Sequence, residues 1–266
     1  MLKLKKYGLG DWALKLIESY LSGRRQVVNW NGEYSETREI KNGVPQGSVL
    51  GPLLFIVLMN DLYLNVNSKA VLFADDTTIY SSHVNFHLAE LSVDNLLLIA
   101  QNWFIENKLA LNESKTQKIL FSLAQDAHVS EPAKLLGFTL DSKLIWDKHI
   151  DTVCSRLSRV LYLLRSLTSD LSEDYVKFAY YAFFHSILAY GIRLWGHSAH
   201  VQKLLLVQKR AIRIVCHADY FANCKPLFIQ CGVFTVFSLY VYESIITIKQ
   251  NEALYVANCY LHEYET

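Results

Sequence analysis

Paired cysteines are the first thing missing. The chain has 266 residues and five cysteines, Cys154, Cys216, Cys224, Cys231 and Cys259, an odd number with no C-x-x-C pair. A disulfide framework is therefore not expected, and a reducing, intracellular compartment (nucleus or cytoplasm) fits better. The run CHADYFANC brings Cys216, His217 and Cys224 close in sequence, but at a spacing that matches no zinc pattern, so they read as buried free thiols. An apolar leader is also missing: MLKLKKYGLGDW carries no signal-peptide core. The most apolar stretch, FAYYAFFHSILAYGI at 178–192, is too short to span a bilayer, contains His185 and is flanked by Lys177 and Arg193, so it reads as a buried helix and no membrane is expected. There is no repeat and no low-complexity segment.

Strong net charge is absent too, at +1, but its distribution is uneven. Residues 1–140 hold 13 Lys/Arg and 14 Asp/Glu, residues 141–216 hold 11 and 6, and residues 217–266 hold 2 and 5. The excess of five positive charges in 141–216 suits either a phosphate-facing surface or a solvated helix face.

What is present is a hydrophobic content of 52%, enough for a substantial core. DWALKLIESYLSG has helical spacing, with Asp11 as an N-cap and Gly23 past the end. RRQVVNWNGEYSETREI has two β-prone runs around Asn-Gly and predicts a hairpin. GSVLGPLLFIVLMNDLYL predicts an apolar helix, 71–80 a strand pair, 83–107 a helix, and QKILFS and AKLLGFTLD two short strands. Segments 149–167, 172–190, 200–216 and 235–250 all predict helices. The class is α+β, an α/β unit over 1–148 followed by an all-helical region over 149–266, with the boundary near Asp141–Lys148.

The chemistry concentrates in VLFADDTTIY, residues 71–80, where Asp75 and Asp76 lie side by side with no basic residue among those ten. In a tight turn both carboxylates project from the tip, and a hard divalent cation relieves their repulsion. A water-exposed Asp-Asp turn is the alternative, but the apolar residues before the pair predict a buried strand that aims it. Upstream, NGVPQGSVLGPLLF packs Gly43, Pro45, Gly47, Gly51 and Pro52 in front of a helix, with Gln46 offering an amide. Glycine lets a ligand approach the backbone, and a helix N-terminus favours anions.

GVPQGSVLGPLLFIVLMNDL followed by VLFADDTTIY resembles the reverse transcriptases of non-LTR, LINE-like and jockey-type, retrotransposons. NKLALNESKTQKILFS, LLGFTLD, LAYGIRLWG, LVQKRAIRIVC and the opening LKLKKYGLGDWALKLIESYLSGRRQVV are similar to further segments of that family. The resemblance implies a polymerase palm, an antiparallel sheet with helices, followed by an all-helical thumb and connecting region. It implies RNA-directed DNA polymerisation by two Mg²⁺ ions, with RNA template, DNA primer and deoxynucleoside triphosphates as partners and no protein partner. Asp75 and Asp76 take the metal-binding positions, with Asp75 the main ligand. Lys115 faces the leaving pyrophosphate; Pro45, Gln46 and Gly47 line the nucleotide and template pocket; Leu136 and Gly137 lie in the primer grip; Arg24 and Arg25 lie near nucleic acid or in a solvated turn.

The family's first metal-binding aspartate comes from a strand upstream of the position of Met1. The chain by itself is therefore expected to extend a primer poorly or not at all. The rival reading is an inert remnant or a non-catalytic nucleic-acid-binding protein. A metal-dependent hydrolase lacks its usual histidine–carboxylate spacing here.

Overall fold

Most of these periodicities become elements of the computed structural model, which describes residues 1–67, 69–122 and 130–254. Two compact units result, Met1–Lys115 and Thr116–Thr266.

The first unit opens with α1 (Leu2–Lys6) and α2 (Asp11–Leu21). Gly10 holds the cap position of α2, and Asp11 is its first helical residue with no side-chain cap bond. There its carboxylate still complements the positive end of the helix. The Asn-Gly hairpin forms as two short ladders, β1 (Arg25–Gln26) with β4 (Arg38–Glu39) and β2 (Asn29–Trp30) with β3 (Glu33–Tyr34). Register slips by one residue between them. The mismatch is absorbed at Ser35, whose hydroxyl accepts from the Val28 N–H at 2.9 Å while its own N–H donates to the Val28 carbonyl. The apolar helix breaks after its first part, giving α3 (Leu50–Met59) and α4 (Leu62–Asn65). Next come β5 (Ala70–Phe73), β6 (Asp76–Ile79) and α5 (Phe86–Glu106), the last capped by Asn85 Oδ1 accepting from the Leu88 N–H. Met59, Leu62, Val66 and Ala70 pack with Leu96, Ala100, Trp103 and Phe104 as its core.

Lys3 ties this unit together, although nothing in LKLKK singled it out. Its ammonium donates to the Leu58 carbonyl at 2.7 Å, Asp61 Oδ1 at 2.7 Å and Asn107 Oδ1 at 3.1 Å, and stands 4.8 Å from the Trp103 ring centroid. Lys3→Met keeps the apolar stem and removes those partners. We expect it to lower the stability of the first unit by about 2 kcal/mol, read as a shift in the urea midpoint with an unchanged slope.

The second unit contains the hairpin β7 (Ala133–Leu135) and β8 (Phe138–Leu140), followed by α6 (Asp147–Leu167) and α7 (Glu173–Ala179). A π-helical stretch, Tyr180–His185, leads into α8 (Ser186–Ala189), then α9 (Ile192–Trp195), α10 (Gln202–Val215), α11 (Cys224–Cys231) and α12 (Val236–Gln250). Its core runs from Trp146 to Leu239. The stretch 178–192 is helical as far as Ala189, and Tyr180, Phe184 and Leu188 are fully buried at i, i+4 and i+8. Its other face is exposed at Phe178 and Phe183, so the segment is half-buried rather than enclosed. No single helix among the described residues is long and apolar enough to cross a membrane.

One expected strand needs correction. QKILFS is not a strand: its bonds are irregular, with Leu120 N–H donating to Ser130 Oγ, Ser122 N–H to the Ser142 carbonyl, and Gln117 Oε1 accepting from the Lys134 N–H. Asp141–Lys148 is a wired corner inside the second unit. Asp141 accepts from the backbone N–H groups of Lys143, Ile145 and Trp146, and these bonds outweigh burial and hold its carboxyl below the usual range. By packing, β7 and β8 go with the helices that follow. Cys259 and the end of the expected helical region lie outside the described residues.

Candidate active site

Residues 70–79 form the expected antiparallel hairpin, with Phe73 opposite Asp76 and Ala70 opposite Ile79. Ala74 and Asp75 are its two-residue turn, and Asp76 opens β6. Ala74 has φ 51°, left-handed backbone that an L-alanine adopts at a cost of about 1 kcal/mol. Both aspartates are exposed. The expected burial of β5 is overturned: Ala70 is buried and Leu72 half-buried, whereas Val71 and Phe73 are 59% and 63% exposed. A two-stranded ladder offers only one covered face, and alternation sends every second side chain to the other. What aims the pair is the turn. Neither carboxylate has a hydrogen-bond or ion-pair partner among the described residues, so both keep their oxygen lone pairs for a ligand.

The glycine-rich loop is also built by a turn. The Pro45 carbonyl accepts from the Ser48 N–H at 3.4 Å and from Ser48 Oγ at 2.8 Å, with Gln46 and Gly47 at the corner. Gly47 has φ 78°, which a type II turn requires at its third residue. Ser48 Oγ accepts from the Gly51 N–H at 3.0 Å and thereby fills one of the open donors at the start of α3. A Cβ on Gly51 would lie 2.9 Å from that oxygen and 3.1 Å from the Pro45 carbonyl, so the glycine lets loop and helix close on each other. Gln46 and Gly47 are exposed and Pro45 half-buried.

Arg24 has a structural task. Its Nε donates to the Leu21 carbonyl at 3.0 Å, and Nη2 to the carbonyls of Asn42 at 3.2 Å and Gly43 at 2.5 Å. It fastens the end of α2 to the start of the glycine-rich loop. Arg25 is exposed and paired in register with Glu39. Lys115 is exposed and ends a short 3₁₀ turn, Glu113–Lys115, at the close of the first unit.

Leu136 and Gly137 form the turn of the second unit's hairpin, both left-handed, with φ 47° and 84°. Glycine suits that geometry; leucine does not. The strand is held from behind. Tyr190 Oη donates to the Leu136 carbonyl at 2.8 Å, and Phe138 stacks on the Tyr190 ring at 5.0 Å and 8°. Trp146 and His149 complete an aromatic cluster around Phe138. His149 Nδ1 accepts from the Thr139 N–H at 3.4 Å. Burial, and then the Arg156 charge, lower its pKa from the ordinary 6.5. The folded state thus favours neutral imidazole while the unfolded chain still protonates near 6.5. Stability from this residue is fully present above that pH and is lost as pH drops below it. A urea midpoint that falls between about pH 7 and pH 5, and falls less in His149→Gln, is the expected result.

Two hydrogen-bond anchors, Arg24 and Tyr190, were missed from the sequence. Only their place beside a motif could have drawn attention to them.

A family model described as reverse transcriptase (RNA-dependent DNA polymerase) matches residues 2–140, just over half of the chain. The chain belongs to the reverse transcriptase family. It is 28% identical over 244 residues to the probable RNA-directed DNA polymerase from transposon X-element of Drosophila melanogaster, covering 84% of this chain and 27% of that protein. It is 29% identical over 247 residues to the corresponding protein of transposon BS from the same fly, covering 83% and 27%. To the RNA-directed DNA polymerase from mobile element jockey of Drosophila melanogaster it is 25% identical over 237 residues, covering 80% and 26%. The likeness to non-LTR retrotransposon reverse transcriptases is thus shown, and the chain spans about a quarter of the length of these relatives. No solved structure matches it.

Proposed function

We propose that this chain supplies part of an RNA-directed DNA polymerase that adds deoxynucleotides to a primer 3′ hydroxyl. The carrying observation is the hairpin tip that presents two free carboxylates, Asp75 and Asp76, on a turn strained at Ala74. Left-handed non-glycine backbone at a tip has a stability cost, and such outliers gather at functional sites. Leu136 repeats the feature at the second hairpin.

In this reading residues 1–148 form the palm and 149–266 the thumb and connection. The two carboxylates fit Mg²⁺, a hard ion that takes oxygen ligands and keeps several waters. When bound, the ions supply activation of the attacking hydroxyl and neutralisation of the leaving pyrophosphate. Gln46 and Gly47 line the nucleotide and template pocket beside Pro45. Lys115 offers its charge to the pyrophosphate, and the Leu136–Gly137 turn bears on the primer. Lys148, Arg156, Arg159 and Arg165 are exposed on α6, outside its buried row of Ile150, Val153, Leu157, Leu161 and Leu164, and are available to phosphates. Lys203 is less so, since Asp151 holds it at 2.6 Å.

The same cations favour a second reading, a protein that binds nucleic acid without synthesis. Primer extension on an RNA template with Mg²⁺ separates the two. The assay uses the chain alone and joined to an upstream segment with a further carboxylate-bearing strand. Template-dependent product from the joined protein, with little from the chain alone, is expected. A folded joined protein that binds primer–template in a salt-dependent way yet never extends it would establish the second reading.

A further inference from the structure

Among the described residues outside the candidate active site, one cluster of chemically capable side chains stands apart. Cys216 follows the last residue of α10, Cys231 ends α11, and Glu173 opens α7. Their Sγ, Sγ and carboxylate oxygen atoms all lie within 4.8 Å of one another, and the two sulfurs are 2.9 Å apart. Cys231 is 2% exposed. Glu173 and Cys216 are half-buried. Gln230 Nε2 donates to Glu173 Oε1 at 3.4 Å and orients that carboxylate.

We propose that Glu173, Cys216 and Cys231 bind a single divalent cation of the zinc class, with water in the fourth position. Two thiolates and a carboxylate are a donor set that zinc takes in tetrahedral sites. Zinc would hold the sulfurs roughly 3.7 Å apart, so the pair opens by less than an ångström. Two helices end at the site and α7 begins there, so their end charges partly offset and the three donor side chains supply the attraction for a cation. A polar neighbour on a ligating carboxylate, here Gln230, is what metal sites use to fix ligand orientation.

Burial, reinforced by the neighbouring Cys231 sulfur and the Glu173 charge, pushes the Cys216 thiol up to about 12. A bound cation inverts that preference by stabilising the thiolates, and one proton leaves from each sulfur as the metal enters. The pair that CHADYFANC brings close in sequence is not the one the fold selects. Cys224 turns its thiol to the carbonyls of Lys209 and Ala222 at 3.7 and 3.8 Å, and His217 is no member of the cluster. The ion would clamp the start of α7 to the ends of α10 and α11. None of this depends on polymerase chemistry.

The test uses the full chain in a phosphine reductant, titrated with Co²⁺ as a spectroscopic substitute and then with Zn²⁺. One equivalent of Co²⁺ should give a thiolate-to-cobalt charge-transfer band, displaced by Zn²⁺, and Zn²⁺ should raise Tm. The band should vanish in Cys216→Ser and in Cys231→Ser. Glu173→Gln should keep a weaker site, with affinity reduced about 10- to 100-fold, and His217→Ala should leave the titration unchanged. The proposal is overturned by a wild-type chain with no band, or by a band that survives either cysteine substitution. If both serine variants fail to fold, Glu173→Gln decides, because unchanged affinity in that variant rejects the site.

Discussion

Asp75→Asn in the joined polymerase should lower RNA-templated synthesis by about a hundredfold or more, with primer–template affinity nearly unchanged. Asparagine matches aspartate in size and tolerates turns, so the tip between Phe73 and Asp76 keeps its form. What disappears is the negative charge of the one aspartate of the pair that lies in the turn. Loss of a single contact made in the transition state, worth ~3 kcal/mol, already slows a reaction on the order of a hundredfold. A metal ligand contributes that contact through the ion. The effect should appear in kcat and in the Mg²⁺ concentration needed for half-maximal rate. Primer–template binding, read by anisotropy, should stay within a factor of about three. An Asp75→Asn protein that retains most of its rate would remove Asp75 from the metal site and, with it, the alignment of this hairpin to the polymerase palm. Asp76 opens β6 and is paired in the ladder with Phe73, so Asp76→Asn provides a second variant on the same tip.

The largest stability effect should follow from Gln208→Leu. Gln208 is fully buried in α10, and its amide is used at both ends. Nε2 donates to Tyr180 Oη at 3.0 Å and to the Phe234 carbonyl at 2.9 Å, while Oε1 accepts from the Val236 N–H at 2.9 Å. It thereby joins the start of the π-helical stretch to the start of α12. Leucine fills similar space and satisfies none of these groups. Each buried group left without a partner costs about 1–3 kcal/mol, so the three together should cost roughly 3–5 kcal/mol, a large part of a domain's net stability. Burial already pushes the Tyr180 hydroxyl well above its ordinary pKa, so ionisation gives it no escape. Urea unfolding followed by Trp fluorescence reads the change. A loss under about 1 kcal/mol would mean that water or a shifted backbone replaces the amide.

Much of the local structure was legible. α5 begins at its asparagine cap and stops at Asn107–Lys108, and α6, α10 and α12 lie within a few residues of their periodic segments. The Asn-Gly turn folds as read because positive φ at both residues is close to free for that pair. Motif order carried the family. The failures have physical causes. α1 and α11 are 5 and 8 residues long, too short for periodicity to declare them. The burial of β5 was inferred from a run of apolar residues, but how many faces of a two-stranded ladder are covered depends on how much core lies beside it. That is a property of the whole unit.

By itself the sequence determined what short-range sterics and hydrogen bonding control: the helix periods, the caps, the Gly47 turn and the placing of two aspartates at a hairpin tip. Those choices rest on residues within a few positions of each other, where backbone torsions have few solutions. Tertiary structure alone decided the partners that bind across the chain. Lys3 meets Asn107 from 104 residues away, Tyr190 reaches Leu136 across 54, and Arg24 reaches Gly43 across 19. Glu173 meets Cys216 and Cys231 only because three helix ends converge. Such pairings depend on how whole elements pack, and packing is settled by the summed burial of many side chains rather than by any local run.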